Sequence, residues 1–266
     1  MSGVFRASAE SGVDEPTKGV FKNTVVSASY NALGLARYLL MDDNRTLRDI
    51  AAAVPYDYVI VLVNTERYGG GGVYNDYTIF TADDERSENI LMHEFGHGFA
   101  NLADEYFGNV AYEAFFPPGV EPHTPNITAL LDPNRVKWGH LLSPDMPIPT
   151  PWGQDEMDLL RARIRETESS HKTLMARLEE DSGDPNDIDH VQKEHEKQID
   201  ALREEIDQIR DKYVARYEGK VGVFEGAGYT PKGLYRSEVR IGLYRDGSYG
   251  PVSEEAIGDV IAHLTR

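Results

Sequence analysis

The chain of 266 residues carries 45 acidic and 27 basic side chains, for a formal net charge of −18, and it contains no cysteine. The missing thiols exclude disulfides, thiolate metal sites and a cysteine nucleophile. The acidic balance argues against a nucleic-acid partner, which would require clustered Lys and Arg. No apolar run approaches the roughly 20 residues that cross a bilayer, so we expect no membrane partner either.

The N-terminal part is predicted to mix helices and strands. Residues 1–24 are expected to form an irregular arm, whose polar start is not typical of a secretory signal. Apolar residues at three- to four-residue spacing predict a helix over 27–41 and a shorter one over 44–54. The Val- and Ile-rich run at 57–64 predicts a buried strand. Alternating aromatic and polar residues over 73–80 predict a half-exposed strand.

A further helix is predicted to follow. The segment Thr81–Asp84 matches a capping box, which places a helix start there. Downstream, Leu91, Phe95 and Phe99 recur every four residues, so this face is expected to point into the core.

The segment HEFGH lies on this predicted helix, with its histidines off the core face. His93 and His97 are one helical turn apart and face the same way. Two imidazoles so placed bind one Zn²⁺ at about 2.0–2.1 Å each. Glu94, beside the first imidazole, is placed to act as the general base that activates water at the metal. The sequence therefore predicts a site for one catalytic zinc ion.

A catalytic zinc usually needs a third protein ligand. Asp104 is the first choice, Glu105 is the runner-up, and His123 and His140 are weaker candidates. Asp104 reaches the metal only if the chain reverses after the helix, and Asn101 tolerates the left-handed conformation that such a turn requires. The alternative is that Asp104 is a helix-end carboxylate that only makes hydrogen bonds.

Residues 155–218 differ from the rest, with 19 acidic and 11 basic side chains. Apolar positions recur at three- to four-residue spacing on both sides of a turn-rich break at 181–187. This pattern predicts an antiparallel coiled-coil hairpin of two helices. A solvated structural hairpin is the favoured interpretation. A surface that docks a protein partner or mediates self-association is the alternative.

The C-terminal part is expected to be globular again. Residues 221–225 are predicted to form a strand and 226–229 a tight loop. Residues 253–264 are predicted to form an amphipathic helix. The apolar side of this helix is expected to comprise Ala256, Val260, Ile261 and Leu264.

Several segments resemble one known family. HEFGHGFANLADEY (93–106) is similar to the signature of the IgA peptidase family of zinc metallopeptidases, metallopeptidase family sixty-four. The strand and glycine-rich segment at 61–70, the tryptophan motif at 136–138 and the segments 221–229 and 232–236 also resemble motifs of this family.

The resemblance implies a mixed α/β fold of the α+β type, a metzincin-like zincin domain with a twisted mixed sheet over the active-site helix. We expect this catalytic domain to comprise residues 1–154 and 219–266, with 155–218 as the inserted hairpin. The family implies a zinc endopeptidase acting on a protein or peptide substrate. It also implies an extracellular location, although this chain shows no signal peptide and a cytoplasmic location is the alternative.

In such enzymes the edge strand before the zinc helix pairs with extended substrate, a role that maps to 70–80. Gly70, Gly71, Gly72 and Tyr74 are therefore candidate substrate-binding residues, since glycines let a peptide backbone approach closely. An ordinary hairpin loop is the alternative.

The chain departs from the family beyond Arg236, where a methionine-containing turn under the metal is usual. No Met is present there, and Leu243 is the candidate for the same apolar floor. Tyr229, Tyr235 and Tyr244 are candidates for stabilising the oxyanion of the tetrahedral intermediate, or else packed aromatics with a hydrogen-bonded hydroxyl. The missing Met also motivates a second functional hypothesis, a zinc-stabilised scaffold with weak or no peptidase activity that docks a partner through its hairpin.

Overall fold

The computed structural model describes residues 11–108, 115–180 and 184–266. Its helices and strands follow one another as a mixed α+β chain. In chain order they are β1 (Ala28–Tyr30), β2 (Leu39–Met41), α1 (Asn44–Ala51), β3 (Val59–Val63), β4 (Gly70–Val73), β5 (Tyr77–Thr81), α2 (Ser87–Ala100), β6 (Ile127–Thr128), α3 (Gln154–Glu180), α4 (Pro185–Tyr217), β7 (Phe224–Ala227), β8 (Thr230–Arg236) and α5 (Pro251–Leu264).

The predicted helix over 27–41 is wrong. This segment forms β1 and β2, which pair antiparallel with Tyr30 opposite Leu39. Between the strands the backbone turns through positive φ angles at Asn31 and Leu33, which an α-helix does not accommodate. Tyr30 and Leu39 are buried core residues, whereas Leu33 is 86% exposed. The apparent helical spacing therefore arose from two short strands and the turn between them.

The helix predicted over 44–54 is confirmed as α1. Its start is fixed by Asp43, whose carboxylate accepts hydrogen bonds from the backbone N–H and the hydroxyl of Thr46. A carboxylate at this position satisfies one of the free N–H groups of the first turn.

The sheet next to α2 has the strand order β3-β5-β4, with β5 parallel to β3 and antiparallel to β4. The burial predictions for two of its strands are wrong. All five residues of the central strand β5 are buried rather than half-exposed. In β3, Ile60 and Leu62 are exposed, because β3 lies at the edge of the sheet and presents alternate side chains to solvent.

Helix α2 begins later than the sequence indicates. The predicted capping box is wrong, because Thr81 is the last residue of β5 and the helix starts at Ser87. Phe95 and Phe99 are only half-buried, and they stack on each other and pack edge-on against Tyr58. The fully buried helix positions are instead Ile90, Gly96, Gly98 and Ala100. Gly98 is small because the sheet approaches the helix closely, whereas Gly96 packs against Leu243 and Tyr249 on another side.

The terminal helix is confirmed as α5, which packs against α2. Ala256 and Val260 contribute to an apolar cluster with α2, as expected, and Ile257 joins them. Ile261 and Leu264 were expected on the same face, but both are more than 40% exposed because the last turn extends beyond the cluster. The C-terminal strand runs over Phe224–Ala227 rather than 221–225. A third sheet has the order β6-β8-β7.

The chain divides into two compact units. The first comprises the described parts of Met1–Leu141 together with Gly226–Tyr235 and Ile241–Arg266. The second comprises Leu142–Glu225 and Arg236–Arg240. The predicted division into a catalytic domain and an inserted hairpin stays a prediction.

The second unit contains the helices α3 and α4. Glu156 near the start of α3 accepts a hydrogen bond from Tyr213 near the end of α4. His171, in the second half of α3, forms a hydrogen bond with Gln192, in the first half of α4. The two helices therefore run antiparallel. Coiled-coil packing along their length stays a prediction. Within the described residues, no helix combines the length and apolar character that a membrane crossing requires.

Candidate metal centre

The site is built on the last two turns of α2. His93 and His97 lie one turn apart, and the helix ends at Asn101, whose backbone is left-handed with φ 55° and ψ 35°. The next N–H, from Leu102, donates back into the helix to the carbonyl of Gly96. The chain reversal that the sequence required at Asn101 is confirmed. It brings the buried Asp104 back beside the two histidines.

Three donor atoms converge in this corner. The Nε2 atoms of His93 and His97 are 3.1 Å apart. Asp104 Oδ1 lies 3.3 Å from the first of them and 3.5 Å from the second. Ligands at tetrahedral corners about 2.0–2.1 Å from a zinc ion are themselves about 3.3–3.4 Å apart. Among the described residues, these three form the one cluster of potential ligands whose donor atoms all lie within 4.8 Å.

The donor set has the chemistry of a metal site. His97 Nδ1 is 2.6 Å from the carbonyl oxygen of Leu102, so this nitrogen donates and leaves the Nε2 lone pair for the cluster. Asp104 Oδ1 is buried without a hydrogen-bond partner. Burying a charged carboxylate oxygen costs free energy. Beside two imidazole nitrogens, only a bound cation or a shared proton can offset that cost. The residues therefore fit a divalent metal ion.

Burial and mutual charge shift the pKa values of these groups. Burial, then the charge of His97, lowers the pKa of His93 to about 4. Burial also acts to lower the pKa of His97, but the Asp104 carboxylate outweighs it and the pKa rises to about 9. Burial acts to raise the pKa of Asp104, yet His97 and His93 hold it well below its usual range. Without a metal, the two imidazoles and the carboxylate thus hold one proton among them.

The side chain of Glu94 lies between its own helix, α2, and the strand β4. Burial raises the pKa of its carboxyl to about 7, against the opposing effects of His97 and of a hydrogen bond from the backbone N–H of Gly72. A carboxyl that titrates near neutral pH is suited to accept and return a proton.

The glycines of β4 make this arrangement sterically allowed. A Cβ at Gly70 would lie 2.8 Å from both Glu94 Cγ and Ile90 Cγ2. A Cβ at Gly72 would lie 2.2 Å from the Glu94 carbonyl oxygen and 2.8 Å from His97 Cβ. Only glycine lets the strand lie this close to the helix. The glycines of β4 therefore allow α2 to pack closely against the strand, in addition to any role in binding substrate.

Two tyrosines hold Asp104 from its other side. The hydroxyl of Tyr229 donates to Asp104 Oδ2 at 2.7 Å. Tyr106 also forms a hydrogen bond with the Asp104 carboxylate, and its hydroxyl accepts one from the Arg37 guanidinium. The second oxygen of the carboxylate is thereby occupied, which leaves Oδ1 for the histidine side.

The backbone beside Asp104 is fixed by the buried Asn126. Its side-chain oxygen accepts from the N–H of Ala103 at 2.7 Å, and its nitrogen donates to the Ala103 carbonyl at 2.8 Å. The same nitrogen lies 3.3 Å from Glu105 Oε1. Glu105, the alternative third ligand, is therefore engaged with Asn126 and lies outside the histidine cluster.

A cleft of about 620 Å³ opens onto the cluster. Several candidate substrate-binding residues from the sequence line it, namely Gly70, Gly71, Gly72, Tyr74 and Tyr229. Aromatic side chains including Tyr38, Tyr68, Tyr106 and Phe116 also contribute to its wall.

The remaining candidates lie in different places. Tyr235 and Tyr244 are not part of the cleft wall, and Tyr244 packs edge-on against Tyr249 in the apolar cluster beneath α2. His123 is exposed at the cleft. His140 pairs with Glu255 at 2.8 Å.

Leu243, the candidate for the apolar floor, is buried in the same cluster beneath α2. Its Cδ2 would lie 3.0 Å from a Cβ at Gly96, so it packs against the helix between the two histidines.

A family model described as IgA Peptidase M64 matches residues 1–261. The chain belongs to this family. No curated protein matches the sequence. Membership in the IgA peptidase M64 family identifies the chain as a metallopeptidase, a hydrolase whose substrates are proteins or peptides. It does not favour the alternative of a scaffold without peptidase activity.

Three residues around the candidate metal centre have no role that the sequence predicts. Tyr106 lies in the signature segment, which was the one available signal. Arg37 lies in the segment 27–41, for which the sequence pattern wrongly predicts a helix. Asn126 lies 23 residues beyond the alanine that it holds, and no local pattern marks it.

Proposed function

We propose that the protein is a zinc-dependent endopeptidase in which His93, His97 and Asp104 hold one catalytic zinc ion. The observation that carries the proposal is the set of three donor atoms 3.1–3.5 Å apart, one of them a buried carboxylate oxygen without a hydrogen-bond partner. Two imidazoles and one carboxylate make a donor set suited to catalytic zinc, which keeps a further position open.

The protein residues divide the work of peptide hydrolysis. When bound, zinc supplies a Lewis acid that polarises the scissile carbonyl and lowers the pKa of water. Glu94 accepts the proton of the attacking water on its carboxylate and passes it to the departing amine. Tyr229 and Tyr106 orient the Asp104 carboxylate, which favours an orienting role for Tyr229 over direct contact with the oxyanion.

We place the substrate along β4. This strand ends the order β3-β5-β4 and lines the cleft, and beyond the bridge between Gly70 and Tyr38 an extended peptide there would lie beside Glu94. The sheet beside a histidine-bearing helix that ends in a tight turn supports assignment to the metzincin-like type. We further propose that α3 and α4 form an inserted antiparallel coiled coil, a solvated structural hairpin for which contact with a protein partner or a second copy is the alternative.

The test compares zinc content and cleavage of casein in the wild type and in Glu94→Gln. We expect Glu94→Gln to retain zinc and to lose activity by about 10²–10⁴-fold, because the general base is removed without loss of a ligand. Glu88→Gln is the matched control, since Glu88 is exposed on the first turn of the same helix. His93→Ala should lose the metal. Equal turnover in Glu94→Gln and wild type would refute the mechanism.

A further inference from the structure

One basic side chain other than histidine lines the described wall of the cleft. Among the described residues that line it, Arg37 is the one Lys or Arg, and most of the others are aromatic, apolar or glycine. The chain has a net charge of −18, so its surface as a whole repels acidic molecules, and a positive charge in the cleft acts against that repulsion. A guanidinium in the cleft that opens onto the candidate metal centre is therefore a candidate for recognition of a substrate group.

Arg37 lies close to the reacting groups. It precedes β2, and its neighbour Tyr38 forms a β-bridge with Gly70 at the start of β4. Its guanidinium donates to the hydroxyl of Tyr106, which in turn bonds to Asp104. Its positive charge also contributes to lowering the pKa values of His93 and Glu94. A group held by Arg37 would thus lie close to the candidate metal centre.

The described contacts of Arg37 leave most of its donors for a ligand. A guanidinium has five N–H donors, and the largest charge and hydrogen-bond effects on the pKa of Arg37 come from the tyrosines Tyr106, Tyr38 and Tyr68. None of these is a carboxylate, and among the described residues no direct ion pair joins Arg37 to an acidic side chain. The side chain is exposed, so a substrate can reach it.

We propose that Arg37 binds a carboxylate of the substrate and that the enzyme prefers peptides with an acidic group close to the scissile bond. The proposal rests on the proposed function. A planar guanidinium matches a carboxylate through two parallel hydrogen bonds, whereas it discriminates against the isosteric amide. The carboxylate comes either from an Asp or Glu side chain or from the C-terminus of the peptide. The aromatic wall then receives the apolar side chains beside it.

The experiment uses a quenched fluorescent peptide that the wild type cleaves, in matched versions. One pair exchanges Glu for Gln next to the scissile bond, and the other exchanges a free C-terminus for an amide. The proteins are the wild type, Arg37→Gln, Arg37→Glu and the control Arg45→Gln, since Arg45 is exposed on α1 away from the cleft. Zinc content is measured for each protein, and binding of the same peptides is measured by fluorescence anisotropy in Glu94→Gln.

We expect the wild type and Arg45→Gln to prefer one acidic version by about fivefold in kcat/KM, the upper range for a solvent-exposed ion pair. Arg37→Gln should lose the preference, and Arg37→Glu should reverse it in favour of a Lys peptide, with zinc content unchanged. The pair that responds identifies the source of the carboxylate. The preference should weaken in high salt.

Two results would overturn the inference. One is an unchanged Glu-to-Gln and acid-to-amide ratio in Arg37→Gln. The other is a loss of zinc together with an equal loss on all peptides, which would make Arg37 only a support for Tyr106 and Asp104. If the wild type cleaves nothing, the proposed function fails. The anisotropy data on Glu94→Gln, with and without Arg37→Gln, then still decide whether Arg37 selects a carboxylate.

Discussion

The hydroxyl of Tyr229 donates a hydrogen bond to Asp104 Oδ2 at 2.7 Å, although 125 positions separate the two residues. Tyr229 has a positive φ of 71°, a conformation that L-residues adopt at a cost. Its backbone N–H donates to the Tyr106 carbonyl, and its own carbonyl accepts from Gly108. Burial and the Asp104 charge raise its pKa far above the usual range, so the hydroxyl stays a donor. The loop is thus built to direct one hydroxyl at the proposed third ligand.

Tyr229→Phe tests this relationship. Removal of the hydroxyl leaves Tyr106 as the one tyrosine that holds the Asp104 carboxylate, so we expect zinc affinity to fall by about 10-fold, the lower range for loss of such a supporting hydrogen bond. Competition with a chromophoric chelator measures the affinity. Tyr56→Phe is the control, because it removes a hydroxyl that bonds only to Arg48 among the described residues. Unchanged affinity in Tyr229→Phe, with the metal-free melting temperature also unchanged, would refute the orienting role.

Gly72→Ala tests the close approach of β4 to α2. The added methyl group would lie 2.2 Å from a backbone oxygen of the helix, which cannot move without the helix itself. We expect a loss of about 1–3 kcal/mol in the free energy of unfolding, the usual cost of overpacking. Urea unfolding measures it. Gly258→Ala provides the opposite case, since α5 leaves open space there and a gain of about 0.5–1 kcal/mol is expected. An equal effect of both substitutions would contradict the steric argument.

Zinc binding is expected to depend on pH with a slope of one proton. His93 is already neutral near pH 7 because its pKa lies at about 4, whereas His97 carries a proton up to about pH 9. The metal must displace that proton, so apparent affinity should rise about tenfold for each pH unit between pH 6 and 8. Calorimetry in buffers of different ionisation enthalpy measures the protons released. A release of two protons, or of none, would contradict the proton sharing among His93, His97 and Asp104.

The candidate ligands could be predicted from the sequence because their chemistry depends on local spacing. His93 and His97 are four residues apart on a helix, and a turn at Asn101 is the geometric condition for Asp104 to reach them. The groups that support them could not be predicted, because Tyr229 and Asn126 reach Asp104 and Ala103 only through the tertiary fold. No spacing rule connects residues so far apart in the chain.

The wrong predictions of secondary structure and burial have a common physical cause. Short strands separated by a turn bury residues such as Tyr30 and Leu39 at intervals that imitate a helix. The burial of β5 likewise depends on its central place between β3 and β4, which pattern alone does not specify. Tertiary context decides both cases.

A stacked pair of histidines in α3 and α4 gives the last prediction. The rings of His171 and His195 are 3.8 Å apart and 4° from parallel, and His195 Nδ1 is buried without a hydrogen-bond partner. A buried polar atom of this kind costs about 1–3 kcal/mol. The double substitution His171→Leu and His195→Leu should therefore slow hydrogen exchange of the surrounding helix amides. His190→Leu, at an exposed position of α4, should leave exchange unchanged. Faster exchange in the double variant would mean that the imidazole pair stabilises the helices rather than weakening them.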